Sequence, residues 1–76
     1  MTQPAIPIIA ETTGTLWKII AQPGLHQAVG AALFVLESMK MEIPVEADVS
    51  GHIASYLVAE GEIVEEGQTV AHFIPD

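Results

Sequence analysis

The chain has no cysteine and very little positive charge, and both absences narrow its possible functions. Among its 76 residues there is no cysteine, and lysine and arginine together number two. The lack of cysteine excludes disulfide bonds, thiolate metal sites and a cysteine nucleophile, although it leaves the redox compartment open. The formal net charge of −8 argues against nucleic acid and anionic membrane surfaces as partners.

The chain also lacks the sequence features that direct a protein into or across a membrane. No apolar run approaches the roughly 20 residues of a membrane-spanning helix. The N-terminus has no basic region, and Pro4 and Pro7 interrupt its apolar run, so we expect no signal peptide and a cytoplasmic location. A length of 76 residues suits one small domain, so residues 1–76 are predicted to form a single domain.

No catalytic or metal-binding motif stands out in the sequence. There is no phosphate-binding loop, no nucleophile elbow and no histidine–carboxylate pair at a catalytic spacing. The three histidines lack the spacing of metal ligands, and the glutamates between residues 60 and 66 lack the dense pattern of a calcium loop. We therefore expect neither catalytic residues nor a bound metal.

The two halves of the chain resemble each other. Three glycines of the first half recur 37 residues later, so that Gly14, Gly24 and Gly30 correspond to Gly51, Gly61 and Gly67. Apolar residues follow the same offset, as in the pairs Leu16/Ile53 and Leu33/Val70. Glycine at matching positions indicates the same backbone requirement twice, most simply a positive φ angle in a turn.

The segments between the glycines are short and rich in β-branched and aromatic residues. They predict strands over residues 15–20, 32–37, 43–47, 52–58 and 70–74. The steps 24–30 and 61–67 each have room for a very short strand. The sequence therefore predicts an all-β fold, a flattened barrel or sandwich of two quasi-symmetric four-stranded halves related by a pseudo-two-fold axis.

An unusual hairpin is predicted at the centre of the repeat. The sequence there reads Glu37-Ser38-Met39-Lys40-Met41-Glu42. A hairpin would place Met39 and Lys40 at its tip, where two-residue turns favour Asn-Gly or Asp-Gly because both residues need positive φ angles. A local rule that is broken at one place indicates function. The Lys40 amine at such a tip could be enclosed by a second enzyme and acylated, while Met39 and Met41 offer a flexible apolar surface for packing.

Simpler structural interpretations compete with this one. Lys40 could be an ordinary surface lysine in a turn, but that explains neither the flanking methionines nor the central position. One of Met39 and Met41 could point inward from a strand end and fill the core. Trp17, beside Lys18, is interpreted by default as half-buried packing, with a partner contact as the alternative.

The central stretch resembles the attachment site of biotinyl domains, and most closely the small single-domain biotin/lipoyl attachment proteins. Met39-Lys40-Met41 matches the family motif in full, and Glu37 matches the glutamate that precedes it. The run from Glu60 to Val70 is similar to the family segment Glu-Gly-Asp-x-Val-x-x-Gly-Gln-x-Leu. The resemblance covers residues 8 to 74, with Ser38 in place of the family's usual alanine.

The resemblance implies a biotin carboxyl carrier that is not itself an enzyme. Biotin would be linked to Lys40 by a biotin protein ligase and would carry CO2 as carboxybiotin between biotin carboxylase and carboxyltransferase components. We expect a monomer without the inserted thumb loop of some biotinyl domains, because the constant offset leaves no room for it. Met39 and Met41 argue against the Asp-Lys-Ala motif of lipoyl domains, but a lipoyl carrier stays open, as does an unmodified interaction module.

Overall fold

The computed structural model describes residues 4–76, which form eight β-strands. The strands are β1 (Ile6–Ile9), β2 (Gly14–Ile19), β3 (His26–Gln27), β4 (Ala32–Ser38), β5 (Met41–Glu46), β6 (Gly51–Tyr56), β7 (Ile63–Val64) and β8 (Thr69–Pro75). Residues 4–76 contain strands but no helix, and so no helix in this part of the chain is able to cross a membrane. The predicted all-β fold is confirmed.

The eight strands pair into two antiparallel sheets that form a flattened sandwich instead of a closed barrel. Their orders are β1-β8-β6-β3 and β5-β4-β2-β7. Each strand of one sheet has its counterpart 37 residues away in the other sheet. The backbone hydrogen bonds repeat as well, since the Gly24 N–H donates to the Ile53 carbonyl at 2.9 Å and the Gly61 N–H donates to the Leu16 carbonyl at 2.7 Å. Each sheet thus combines strands from both halves of the sequence, and the first half carries no inserted loop.

The core lies between the two sheets, and the side chains buried there within residues 4–76 are all apolar. Its largest fully buried side chains are Leu16, Leu33, Phe34, Leu36, Ile53, Val64, Val70 and Phe73. Tyr56 on β6 lies at the edge of this core, where its ring meets Phe34 edge-on at a centroid distance of 6.1 Å. Its hydroxyl donates to the carbonyls of Ala21 and Leu33, at 2.7 and 3.2 Å. Burial disfavours the phenolate and raises the pKa of Tyr56 to about 12.

Strand β1 is the one element that the sequence analysis missed. Pro7 interrupts its apolar run, and a proline normally argues against a strand because it has no N–H to donate. At the edge of a sheet that donor is not needed, and β1 is an edge strand. The repeat contained the missing signal, because Ile6-Pro7-Ile8 stands 37 residues before Ile43-Pro44-Val45 in β5, an edge strand of the other sheet.

The predicted reason for the glycines is right for two of the three pairs. The glycines in turns, with φ angles from 87 to 91°, are Gly24, Gly30, Gly61 and Gly67. Gly14 has no positive φ, and Gly51 has a φ of 159°, close to extended backbone. A Cβ atom at Gly14 would lie 2.5 Å from the Glu37 carbonyl oxygen, and one at Gly51 would clash with the Ile74 carbonyl oxygen. This pair is therefore required by the close approach of neighbouring strands.

Candidate functional site

Lys40 lies at the tip of the hairpin that joins β4 to β5. Ser38 at the end of β4 pairs with Met41 at the start of β5, so Met39 and Lys40 are the two central residues of the turn. Their φ angles are 52° and 65°, and two positive φ angles are what a type I′ turn requires. The predicted register is confirmed. An ordinary residue in this left-handed conformation is destabilised by about 1–2 kcal/mol relative to its preferred backbone.

The turn presents its side chains to solvent. Met39 is 92% exposed and Met41 is 63% exposed, and Lys40 is exposed as well. The alternative in which one of the methionines fills the core is therefore wrong. Among residues 4–76 the only salt bridge joins His26 to Asp76, so the Lys40 ammonium pairs with no carboxylate in that range. Its amine is open to an approaching enzyme.

The base of the hairpin, unlike its tip, is fixed to the rest of the protein. The Ser38 hydroxyl donates a hydrogen bond of 3.0 Å to the Thr13 carbonyl, in the loop between β1 and β2. The Thr13 hydroxyl in turn accepts a hydrogen bond of 3.1 Å from the Glu66 backbone N–H. In the sequence, Ser38 stood out only as a departure from the family's alanine. The structure gives this side chain a role in holding the hairpin.

Two glutamates face each other below the tip. Glu37 on β4 lies directly opposite Glu42 on β5, and both are exposed. Directly opposite residues of an antiparallel pair share a face of the sheet, and like charges there are destabilising. The pair places negative charge beside the Lys40 turn, which favours the approach of a positively charged partner surface.

The three histidines lie on β3, β6 and β8, in the sheet that does not contain the hairpin. His26 on β3 lies opposite His52 on β6, and its Nε2 atom is 2.8 Å from the Asp76 carboxylate. Hydrogen bonds from His26 and Ser50 lower the pKa of the Asp76 carboxyl. Within residues 4–76 no group of three or more histidine, aspartate and glutamate side chains is arranged to hold a metal ion.

Trp17 occupies an irregular point of β2. The pairing of β2 with β4 shifts register between Leu16 and Lys18, so Trp17 lies in a bulge. Its side chain is 47% exposed. About half of its surface packs on the protein, as the default interpretation requires, and the other half is open to solvent.

Comparison with known proteins adds family membership to this geometry. Residues 2–73 match the biotin/lipoyl family model described as "Biotin-requiring enzyme". The chain is 40% identical over 60 residues to the biotin/lipoyl attachment protein of Bacillus subtilis, covering 79% of this chain and 82% of that protein. It is 36% identical over 62 residues to the biotinylated protein TB7.3 homolog of Mycobacterium leprae, covering 82% and 87%.

A solved structure shares the fold closely. The urea carboxylase of Kluyveromyces lactis superposes with a TM-score of 0.86 at 34% identity. The match covers 96% of this chain but 6% of the carboxylase, so the likeness concerns one small part of a much longer protein. The resemblance seen in the sequence is confirmed, and the chain belongs to the biotin/lipoyl attachment family.

Proposed function

We propose that this protein is a biotin carboxyl carrier whose biotin is attached to the Nζ atom of Lys40. The observation that carries the proposal is the turn itself. Met39 and Lys40 adopt positive φ angles, which side-chain-bearing residues rarely do, and in this way Lys40 stands in solvent at the tip of an anchored hairpin. Strained backbone concentrates at functional positions. An ordinary surface lysine would not need such a turn.

The residues of the hairpin have separate tasks in this proposal. Lys40 would supply the amine that attacks the carboxyl group of biotin after the ligase has activated it. The bond to the activating group would break as the amide bond forms, and the ligase would take up the amine proton. Met39 and Met41 supply exposed apolar surface on which a modifying enzyme can pack. Ser38 and the strands hold the turn at a constant position. When bound, biotin supplies the ureido nitrogen that carries CO2.

The partners follow from this chemistry. A biotin protein ligase would recognise the folded hairpin, including the negative charge of Glu37 and Glu42. Biotin carboxylase and carboxyltransferase components would then use the tethered group in turn. A tether raises the effective concentration of the group at both sites when the geometry permits. The protein would carry the reacting group and leave catalysis to these partners.

A lipoyl carrier is the second candidate. The name of the Bacillus subtilis relative covers both biotin and lipoyl groups. Both groups are attached to a lysine through the same amide bond, so the exposed amine alone does not separate them. The flanking methionines favour biotin in the sequence comparison. The mass of the attached group distinguishes the two directly.

The chain offers a matched pair of variants to test the site. Lys18 and Lys40 are its two lysines. We would express wild type, Lys40→Arg and Lys18→Arg with a biotin protein ligase and biotin, and measure capture by avidin. Wild type and Lys18→Arg should be captured, and Lys40→Arg should not, while circular dichroism shows the same fold for all three. Capture of Lys40→Arg would refute the site.

A further inference from the structure

A groove with an acidic rim runs between the edge strands β1 and β5. Its volume is about 430 Å³. Its apolar lining includes Ile8 on β1, Ile43 and Val45 on β5, and Leu36. The carboxylates at its rim are those of Glu11, Glu46 and Asp48. Every residue that lines the groove lies within 4–76, and none of them is basic. The groove therefore offers several hydrogen-bond acceptors next to an apolar surface.

One end of the groove lies beside the base of the Lys40 hairpin. Glu11 belongs to the loop whose Thr13 carbonyl accepts the hydrogen bond from Ser38. On the opposite strand, Ile43 is three residues from Lys40, about 10 Å along an extended chain. The lysine side chain and the valerate chain of biotin together are longer than this distance. A group attached to Lys40 can therefore reach the groove without any change in the backbone.

We propose that this groove is a resting site for the biotinyl group on Lys40, an inference that rests on the proposed function. The ureido ring has two N–H donors, and the Glu11 carboxylate can only accept. Hydrogen bonds to an ionised acceptor are about twice as strong as those between neutral groups. The apolar part of biotin packs on Ile8 and Ile43. The groove thus matches both halves of the group, its donors and its hydrocarbon.

The acidic rim also makes the groove selective for the charge of the ring. A ureido ring that carries CO2 bears a carboxylate, which the side chains of Glu11, Glu46 and Asp48 repel. The formal net charge of −8 adds to this repulsion. The groove holds the ring before CO2 is loaded and releases it afterwards.

Nuclear magnetic resonance of the full chain tests the resting site. Amide shifts of the biotinylated protein are compared with those of the unmodified protein, after intact mass has shown that modification is complete. We expect changes at Ile8, Glu11 and Ile43 in addition to the turn, and nuclear Overhauser contacts between the ureido ring and the Ile43 methyl groups. Changes confined to residues 38–42 would overturn the resting site.

The pseudo-two-fold axis supplies a matched control. Asp48 stands 37 residues after Glu11, beyond the end of β5 that is farther from Lys40. Both side chains are exposed, so neither Glu11→Gln nor Asp48→Asn should disturb the fold. Glu11→Gln should lower the equilibrium constant for docking of the ureido ring in the groove about tenfold, because a charged acceptor makes the stronger hydrogen bond. Asp48→Asn should leave this constant nearly unchanged. Equal effects of the two variants would overturn the assignment to Glu11.

A lipoylated form of the same chain separates hydrogen bonding from simple tethering. The dithiolane ring of lipoate has no N–H donor, so its shift changes should stay within the turn. Equal groove shifts with lipoate would contradict the role of the carboxylates. If intact mass shows no biotin on Lys40, the proposed function fails and this inference with it. A biotinylated chain without groove shifts refutes the resting site alone.

Discussion

The turn at Met39 and Lys40 places two ordinary side chains where glycine or asparagine would fit better. Their φ angles are 52° and 65°, and both methionines beside Lys40 are largely exposed. Neither burial nor a salt bridge within residues 4–76 compensates for the strain. The strain at the turn is explained if Met39 and Lys40 are needed for recognition by a modifying enzyme and not for folding.

Replacing the turn by its preferred sequence should therefore stabilise the protein. The double variant Met39→Asn, Lys40→Gly should gain about 1 kcal/mol, because Asn-Gly adopts the type I′ turn readily. For a protein of this size such a gain raises Tm by about 4–8 °C.

The control is Met39→Ala, which shortens the side chain but keeps a Cβ atom at a positive φ angle. Its Tm should stay close to that of the wild type. Scanning calorimetry measures all three proteins, and a double variant no more stable than the wild type would show that the turn is unstrained.

At this scale the sequence predicted the position of Lys40 but not the surroundings of its neighbours. The repeat fixed the centre of the chain between Glu37 and Glu42, and the hairpin tip followed from that. Alternation along a strand suggested that one methionine could point inward. The end of the hairpin instead leaves both Met39 and Met41 largely in solvent, which only the three-dimensional arrangement shows.

Among the strands, the paired glycines Gly14 and Gly51 mark close approaches between neighbours. A Cβ atom at Gly51 would meet the Ile74 carbonyl oxygen, and would lie 2.7 Å from a ring carbon of Phe73. These are backbone and core atoms that cannot move aside cheaply. The corresponding contact at Gly14 is with the Glu37 carbonyl oxygen, next to the hairpin.

Alanine substitutions should distinguish the glycines at close approaches between strands from the glycines in turns with positive φ angles. Gly51→Ala should destabilise the protein by about 3 kcal/mol, the upper range for overpacking. Gly61→Ala should cost about 1 kcal/mol, because its φ of 91° is strained for alanine but its surroundings are open.

Urea unfolding of both variants gives the comparison. Equal losses of unfolding free energy would mean that φ alone explains the glycines. That result would restore the interpretation first drawn from the sequence.

The elements were largely predictable because most of them obey simple patterns. Short β-branched segments between glycines gave the strands β2, β4, β5, β6 and β8 with small errors at their ends. Strand β1 was not predicted because a proline such as Pro7 is acceptable only at the edge of a sheet. Which strands form the edges is known only once the sheet is assembled. The close approach at Gly51 likewise depends on which strands become neighbours.

Across the whole molecule, Tyr56 links one sheet to the other. It extends from β6, and its hydroxyl donates to Leu33 on β4 of the opposite sheet and to Ala21. Its counterpart in the first half, 37 residues earlier, is Ile19. The repeat therefore could not predict this contact, which breaks the pseudo-two-fold symmetry.

Stability should fall in alkaline solution because of Tyr56. Its pKa is about 12 in the folded protein against an ordinary value of 10.0, so the folded state holds this proton more tightly than the unfolded state. The associated stabilisation is complete below pH about 10 and is lost as the pH rises to about 12. Its size is about 1 kcal/mol once solvent screening of this half-exposed group is allowed for.

Denaturant unfolding between pH 8 and pH 12 measures this effect. Tyr56→Phe keeps the ring but removes the proton, so its stability should decline less over the upper part of the range. A variant that follows the wild-type curve throughout would exclude Tyr56 as the source of the decline.

The central claim is that the fold displays Lys40 as the acceptor of a biotinyl group. Peptide mapping by mass spectrometry, after co-expression of the wild-type chain with a biotin protein ligase in the presence of biotin and lipoate, tests it most directly. The account predicts one biotinyl group per chain, located on the peptide that contains Lys40, and an unmodified Lys18. An unmodified Lys40 beside an active ligase, or biotin on another residue, would contradict it.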